Sequence, residues 1–177
     1  TLRQGGIILY PTDTVWGIGC DATNSDAVAK IYALKRSTDK NSMLVIVDSI
    51  DRAAVYTDNV PHVAWDLMEV TDKPLTLILP GAHGISHELI PDEGTIGIRV
   101  PDHEFCHQMC RMLGRPVVST SANISGMTTP ARFDEIDPAV KDGVDMVVDA
   151  SFEADATGKA SSIIAIDRSG AFKIIRP

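Results

Sequence analysis

Positive charge is scarce in this chain. Sixteen Lys and Arg residues stand against 24 Asp and Glu, leaving a net charge of −8 and a pI near 5.0. A surface of that kind does not attract polyanions as a whole, so a nucleic-acid partner needs a local basic patch. Long apolar runs are lacking too: no stretch approaches the roughly 20 residues of a membrane-crossing helix, and no membrane partner is expected. Only three cysteines occur, Cys20, Cys106 and Cys110, an odd number without secretory spacing. They fit a reducing, cytoplasmic setting better than a disulfide scaffold. Familiar catalytic signatures are missing as well, with no G-x-G-x-x-G turn and no G-x-S-x-G elbow. Gly158-Lys159 imitates the end of a phosphate-binding P-loop, but Glu153 stands at its first glycine and Ala160 at its Ser/Thr. None of the five histidines, His62, His83, His87, His103 and His107, carries a signature that would make Ser119, Ser121 or Ser125 a nucleophile.

What is present describes one globular domain. With 177 residues, 44% hydrophobic and 23% charged, the chain can bury one sizeable core, and a single domain over residues 1–177 is expected. It has no repeats, low-complexity tracts or linkers. The opening Thr1-Leu2-Arg3-Gln4-Gly5-Gly6 resembles the tail of a helix with a glycine cap, so a short N-terminal piece is expected before it. Targeting signals are therefore not readable from this end.

Apolar runs rich in Val, Ile and Leu predict strands at Gly6–Tyr10, Met43–Val47, Leu75–Leu79, Ile96–Val100, Pro116–Ser119, Met146–Val148, Ser162–Ile166 and Phe172–Ile175. Ser25-Asp26 predicts a cap for a helix whose inner face carries Ala27, Val28, Ile31 and Leu34 and which ends near Lys35. Further helices are expected at Val60–Val70, Asp102–Leu113 and around Arg132–Lys141. The alternation implies an α/β or α+β fold around a mixed sheet. The polar, glycine-bearing segments Gly81–Thr95 and Phe152–Lys159 are candidate mobile lids, with Glu153 and Asp155 in the second as solvated carboxylates.

His103, Cys106, His107 and Cys110 share one side of the third helix and imitate a zinc site. Residues 103 and 110 are roughly 10 Å apart along a helix axis, too far for ligands that must all reach a metal at about 2.0–2.3 Å. Cys106, Met109, Cys110 and Leu113 read better as a core stripe with the histidines at its margin.

Chemistry concentrates in two turns, each at the end of a buried strand. Tyr10 leads into Pro11-Thr12-Asp13-Thr14-Val15-Trp16-Gly17-Ile18-Gly19, and Pro116-Val117-Val118 into Ser119-Thr120-Ser121-Ala122-Asn123-Ile124-Ser125-Gly126. Glycine permits close backbone approach to a ligand, and hydroxyl and amide groups supply donors without bulk. Thr95–Pro101, Ala160–Ile163 and Arg176-Pro177 add hydroxyls and guanidinium groups on or beside strands. The basic segment Lys30, Lys35, Arg36 and Lys40 is either a solvated helix end or an anion site. Fixed cations and neutral donors without a covalent nucleophile suit an anionic ligand such as a nucleotide, because nucleotidyl transfer asks mainly for positioning and charge neutralisation.

Taken together, these motifs make the whole chain resemble the threonylcarbamoyl-adenylate synthase family, the YrdC-type domain of tRNA modification. Tyr10–Gly17 matches Y-P-T-[DE]-T-x-[YW]-G and Ser121–Gly126 matches S-A-N-x-S-G. Thr95–Pro101 matches T-x-G-x-R-x-P, Ala160–Ile163 contains the S-[ST]-I element, and Arg176-Pro177 follows in order. The resemblance implies a YrdC/RibB-like fold, a twisted mixed sheet bordered by helices with a large open concave cleft. It also implies formation of L-threonylcarbamoyl-AMP and pyrophosphate from L-threonine, bicarbonate and ATP, with Mg²⁺ accompanying ATP. The product serves modification of adenosine 37 in tRNA, so tRNA and threonylcarbamoyl-transfer proteins are the implied downstream partners. Thr14, Arg99, Ser119 and Ser161 resemble the threonine-binding positions. Lys35, Asn41, Thr95, Ser121, Thr129 and Arg176 resemble the nucleotide-binding ones, and Lys35, Ser121 and Asn123 belong to a K-x-R…S-x-N tetrad. Ser37 stands where that tetrad has arginine, so Arg36 or Lys40 supplies the cation, or it is missing. Ile46 stands where many members carry histidine. Two other readings differ in class: a noncatalytic double-stranded RNA or tRNA-binding domain, and a module that uses carbamoyl phosphate.

Overall fold

Which face each strand turns towards a covering helix decides where this molecule is open. The computed structural model describes residues 1–58, 60–153 and 156–177. Its strands are β1 (Ile8–Tyr10), β2 (Gly17–Gly19), β3 (Leu44–Ile46), β4 (Leu75–Pro80), β5 (Thr95–Arg99), β6 (Val117–Ser121), β7 (Met146–Val147), β8 (Ser162–Ile166) and β9 (Phe172–Arg176). They form one sheet in the order β7-β1-β2-β6-β3-β5-β4-β8-β9. The sheet is mixed: β7 with β1, β3 with β5 and β4 with β8 are parallel pairs, and the other neighbours are antiparallel. The helices are α1 (Ser25–Lys35), α2 (Ile50–Ala53), α3 (His62–Val70), α4 (Glu104–Leu113) and α5 (Pro138–Asp142).

Period-two alternation sorts the side chains between two faces. Val45, Leu77, Leu79, Ile96, Ile98 and Val118 point into the main core, where Ala27, Val28 and Ile31 of α1, Ala64 of α3 and Val140 of α5 cover them. On the opposite face Ile8, Tyr10, Ile46 and Val117 pack under Cys106 and Cys110 of α4. That cover stops there. The next same-face positions, Thr76, Ile78, Thr95, Gly97, Arg99, Ser119 and Ser121, line an open cleft instead.

Several elements differ from expectation for identifiable reasons. Gly17-Ile18-Gly19, expected as a turn, is strand β2. A Cβ at Gly19 would lie 2.5 Å from the Val118 carbonyl oxygen and 2.7 Å from the Tyr10 ring, so glycine is what lets β2 pass between them. Asn24, not Ser25-Asp26, caps α1, its side chain accepting from the Ala27 N–H at 3.1 Å. The Arg132–Lys141 region divides into a 3₁₀ turn, Phe133–Glu135, and α5, which begins at Pro138 under an Asp137 cap. The four-residue α2 carries no long periodic pattern and was not expected. Leu2–Gln4 forms a 3₁₀ turn closed by left-handed Gly5.

Both candidate lids are fastened. In Gly81–Thr95, Leu89 is fully buried, Ser86 N–H donates to the Ala22 carbonyl at 2.8 Å, and Lys40 Nζ donates to the His87 and Ile90 carbonyls. In the second segment, Thr157 and Gly158 donate backbone N–H bonds to the Asp13 and Thr14 carbonyls at 2.9 and 2.8 Å. Asp155 lies outside the described residues. Cys106 and Cys110 form the core stripe of α4 with Met109 and Leu113 beside them, and all three cysteines are free and buried. Burial pushes the Cys20 and Cys110 thiols up to about 12, which makes them poor nucleophiles at neutral pH.

Two consequences for stability follow from backbone geometry. Gly19→Ala drives a Cβ into backbone as well as a ring and is expected to cost about 2–4 kcal/mol, read from urea unfolding midpoints. Arg36, at φ 53°, is the non-glycine residue with positive φ among those described. Arg36→Gly relieves that conformation and is expected to raise stability by about 0.5–1 kcal/mol in the same assay.

Candidate functional site

The open part of the sheet face forms a cleft of about 330 Å³. One wall is the β1–β2 turn. Thr12 Oγ1 donates to the Val15 carbonyl at 2.8 Å and accepts from Thr14 N–H at 3.1 Å. Thr12 and Thr14 hydroxyls lie 2.8 Å apart. From β5, Arg99 Nη1 donates to Thr14 Oγ1 at 2.8 Å, while Nη2 donates to Asp13 Oδ1 in a buried ion pair. Asp13 Oδ2 accepts Asp102 N–H at 3.1 Å. Arg99 Nε is buried and has no protein partner among the described residues.

The opposite wall comes from the end of β6 and the turn after it, with Ser119, Thr120, Ser121 and Thr129. Lys35 braces this wall from behind. Its ammonium donates to the Ser121 and Asn123 carbonyls at 2.6 and 2.7 Å, and its own carbonyl accepts Ser125 N–H at 2.9 Å. Only 3% of Lys35 is exposed, and desolvation lowers its pKa to about 8. Asn123 closes the turn on itself, its amide nitrogen donating to the Ile124 and Met127 carbonyls at 3.0 and 2.9 Å.

Between the walls lie β5, β4 and the start of β8. Thr76 and Ser161 hydroxyls are 2.8 Å apart and both buried, and the Ser161 carbonyl accepts from Arg176 Nε at 2.8 Å. Gly97 keeps this floor low, since a Cβ there would meet Leu44 Cβ at 3.0 Å. The rim carries Lys40, Asn41 and Ser42.

Charge in the cleft is opposite to that of the whole chain. Lys40, Arg99 and Arg176 line it, and no Asp or Glu does among the described residues. Burial and the neighbouring Arg99 both lower the Arg176 pKa, so the two guanidinium groups feel each other's field. An anion between them relieves that repulsion. No histidine lines the cleft either, so Ser119 and Ser121 have no adjacent imidazole base.

Of the residues singled out from sequence, Thr14, Asn41, Thr95, Arg99, Ser119, Ser121, Thr129, Ser161 and Arg176 come together in this one cleft. Lys35 and Asn123 stand behind its wall, and Arg36 is exposed outside the lining. Of the two candidate replacement cations, Lys40 is the one on the cleft rim. Ile46 is fully buried beneath α4. Sequence reasoning gave no role to Asp13, Thr12 or Thr76. Thr76 did carry a signal, a lone hydroxyl inside the apolar run Leu75-Thr76-Leu77-Ile78-Leu79. Asp13 carried none beyond its place in the quoted motif.

Known proteins share both this sequence and this architecture. The sequence model of the Sua5, YciO and YrdC proteins, described as telomere recombination, matches residues 1–177. A threonylcarbamoyl-AMP synthase of Idiomarina loihiensis is 37% identical over 156 residues, 82% of this chain and 80% of that protein. One from Vibrio parahaemolyticus is 32% identical over 144 residues, 80% and 78% of the two chains. Among solved structures, Sua5 of P. abyssi carrying H234A and Y235A aligns at TM-score 0.88 and 25% identity over 99% of this chain. The present chain spans about half of that protein, 53%. The P. abyssi Sua5 complex with L-threonine aligns at TM-score 0.82 and 25% identity, covering 93% of this chain and 48% of that one. YciO of E. coli aligns at 0.81 and 25% identity, covering 99% and 84%. With the family model matched from its first residue to its last, the chain belongs to the Sua5/YciO/YrdC family.

Proposed function

We propose that this chain is an L-threonylcarbamoyladenylate synthase, a nucleotidyltransferase that makes threonylcarbamoyl-AMP and pyrophosphate from L-threonine, bicarbonate and ATP. The observation that carries the proposal is a hydroxyl-rich cleft with three cations and no lining carboxylate, in a chain whose relatives of similar length are named threonylcarbamoyl-AMP synthase. In the reaction the threonine amine adds to the carbon of bicarbonate, water leaves, and a carbamate forms. A carbamate oxygen then attacks the α-phosphorus of ATP, and pyrophosphate departs. Neither step requires a protein nucleophile, which agrees with serines that lack a neighbouring base.

Arg99 offers its free N–H groups to the threonine carboxylate, with Thr14, Ser119 and Ser161 around the amine and side chain. Asn41, Thr95, Ser121, Thr129 and Arg176 take the nucleotide, and Lys40 supplies the rim cation for its phosphates. Lys35 and Asn123 serve this site by shaping the turn that presents Ser121. Arg36 stands outside the lining and has no contact role here. The donors in the cleft are hydroxyls, amides and cations, and no cluster of three His, Cys, Asp or Glu occurs among the described residues. That chemistry does not fit a resident Mg²⁺; the ion belongs with the phosphates of the bound nucleotide. The product feeds tRNA modification at position 37, with transfer proteins downstream. Residues 1–177 act as one domain, and no helix of the described residues is long and apolar enough to cross a membrane.

Purified protein given ATP, Mg²⁺, L-threonine and bicarbonate is expected to release pyrophosphate only when both small substrates are present. Release that ignores threonine sinks the proposal. Arg176→Ala is expected to raise the KM for ATP by about 10–100-fold through loss of a charge-assisted contact. Lys35 makes the reaction pH-dependent in a defined direction. Its ammonium is present below about pH 8 and lost above it, so the brace on Ser121 and Asn123 weakens as pH rises. In wild type, kcat/KM for ATP is expected to fall between pH 7 and 9 by more than in Lys35→Met, which starts lower. Parallel profiles for the two proteins would remove Lys35 from this role.

A further inference from the structure

Asp13 ends a hydrogen-bonded chain whose direction is fixed. Thr12 has one hydroxyl proton, and it goes to the Val15 carbonyl. Thr12 Oγ1 also accepts Thr14 N–H, so in the 2.8 Å contact between the two hydroxyls Thr14 is the donor and Thr12 the acceptor. Arg99 Nη1 occupies one lone pair of Thr14 Oγ1. The Thr14 hydroxyl, its proton already committed, keeps a single lone pair for the cleft.

Arg99 can occupy that lone pair only while its guanidinium is held. The group is 4% exposed, and the carboxylate that faces it is Asp13, itself 7% exposed and anchored by Asp102 N–H. The other charged group near it in the cleft is a second cation, Arg176. Backbone bonds from Thr157 and Gly158 to the Asp13 and Thr14 carbonyls hold the same two residues from the outer side.

We infer that Asp13 is a positioning residue of the amino-acid subsite: it orients Arg99, whose Nη1 takes one lone pair of Thr14 while Thr12 takes its proton, so that Thr14 is left with one lone pair to accept with. A ligand there must bring a hydrogen-bond donor to Thr14 and a carboxylate to the remaining Arg99 N–H groups. An α-amino acid does both, through its amine or a side-chain hydroxyl. The inference rests on the reading of Thr14 and Arg99 as threonine contacts given above.

The test combines Asp13→Asn, Arg99→Gln and the double variant, with threonine affinity measured by calorimetry and KM values by pyrophosphate release. Asp13→Asn is expected to weaken threonine binding by about 10–100-fold while the KM for ATP stays within about twofold. Because Asp13 acts through Arg99, the double variant is expected to bind threonine no worse than Arg99→Gln alone. Unchanged threonine affinity in Asp13→Asn, or effects that multiply in the double variant, overturn the inference. Should Asp13→Asn fail to fold, the comparison of Arg99→Gln with the double variant decides, since the double variant carries neither buried charge. Wild type that binds threonine but releases no pyrophosphate overturns the proposed reaction and not this inference; wild type that does not bind threonine overturns both.

Discussion

A guanidinium group sealed from water has to be paired, and in this chain that necessity ties the two halves of the site together. Arg99 lies at the end of β5, in the part of the sheet built by β3, β4 and β8, while Asp13 and Thr14 lie in the turn between β1 and β2. The ion pair and the Thr14 contact therefore bridge elements more than 80 residues apart in sequence. Desolvating either charge alone would be costly, whereas together they also satisfy backbone through Asp102 N–H. The wall of the cleft is consequently defined by the same contacts that keep a buried charge tolerable. Replacing the pair by apolar residues would remove the Arg99 donors from the cleft.

The second determinant is incomplete cover. α4 is ten residues long and its apolar stripe reaches only the β1, β3 and β6 part of one sheet face. Beyond it the strands still alternate, so every second residue of β4, β5 and the end of β6 turns towards the cleft on that side. Apart from Ile78, those positions are Thr76, Thr95, Gly97, Arg99, Ser119 and Ser121, small or hydrogen-bonding, where a covered sheet would carry Val or Ile. Their neighbours on the other face are apolar up to the end of β6, where Thr120 donates to the Ser42 carbonyl. The same alternation that builds the core thus writes the cleft floor, where Arg99 and Arg176 of the strands join Lys40 of the rim in a protein whose net charge is −8. Local potential, not overall charge, decides what such a surface attracts.

Much of this was legible because it depends on local patterns. The apolar runs located eight of the nine strands among the described residues, and the hydroxyl-rich turns pointed to the residues that converge in the cleft. The failures share a cause, dependence on contacts distant in sequence. β2 is three residues of Gly-Ile-Gly, with little strand propensity of its own; it is extended because it pairs with β1 and β6, and Tyr10 and Val118 leave room only for hydrogen at Gly19. The partner of Arg99 was invisible because an ion pair across 86 positions leaves no spacing to read. Lys35 was legible as a cation but not as a buried one. Its surroundings are set by the β6 turn, whose carbonyls turn inward to meet it.

The end of α1 shows how a family position can be vacated without emptying the site of charge. Arg36 takes the left-handed conformation that closes the helix, and Ser37 N–H returns to the Tyr32 carbonyl. Past this reversal, Ser37 is not among the residues that line the cleft. Asp39 then caps a short 3₁₀ turn, Lys40–Ser42, which carries Lys40 and Asn41 onto the rim. Lys40 is steadied by the His87 and Ile90 carbonyls, bonds that also fasten the Gly81–Thr95 segment beside it. A lysine so held is a point charge with one N–H left to donate, where arginine would offer a planar fork. Under the function proposed above, phosphate neutralisation at this rim keeps its sign and loses its bidentate geometry, which places more of the orienting demand on Arg176 and the hydroxyls of the opposite wall.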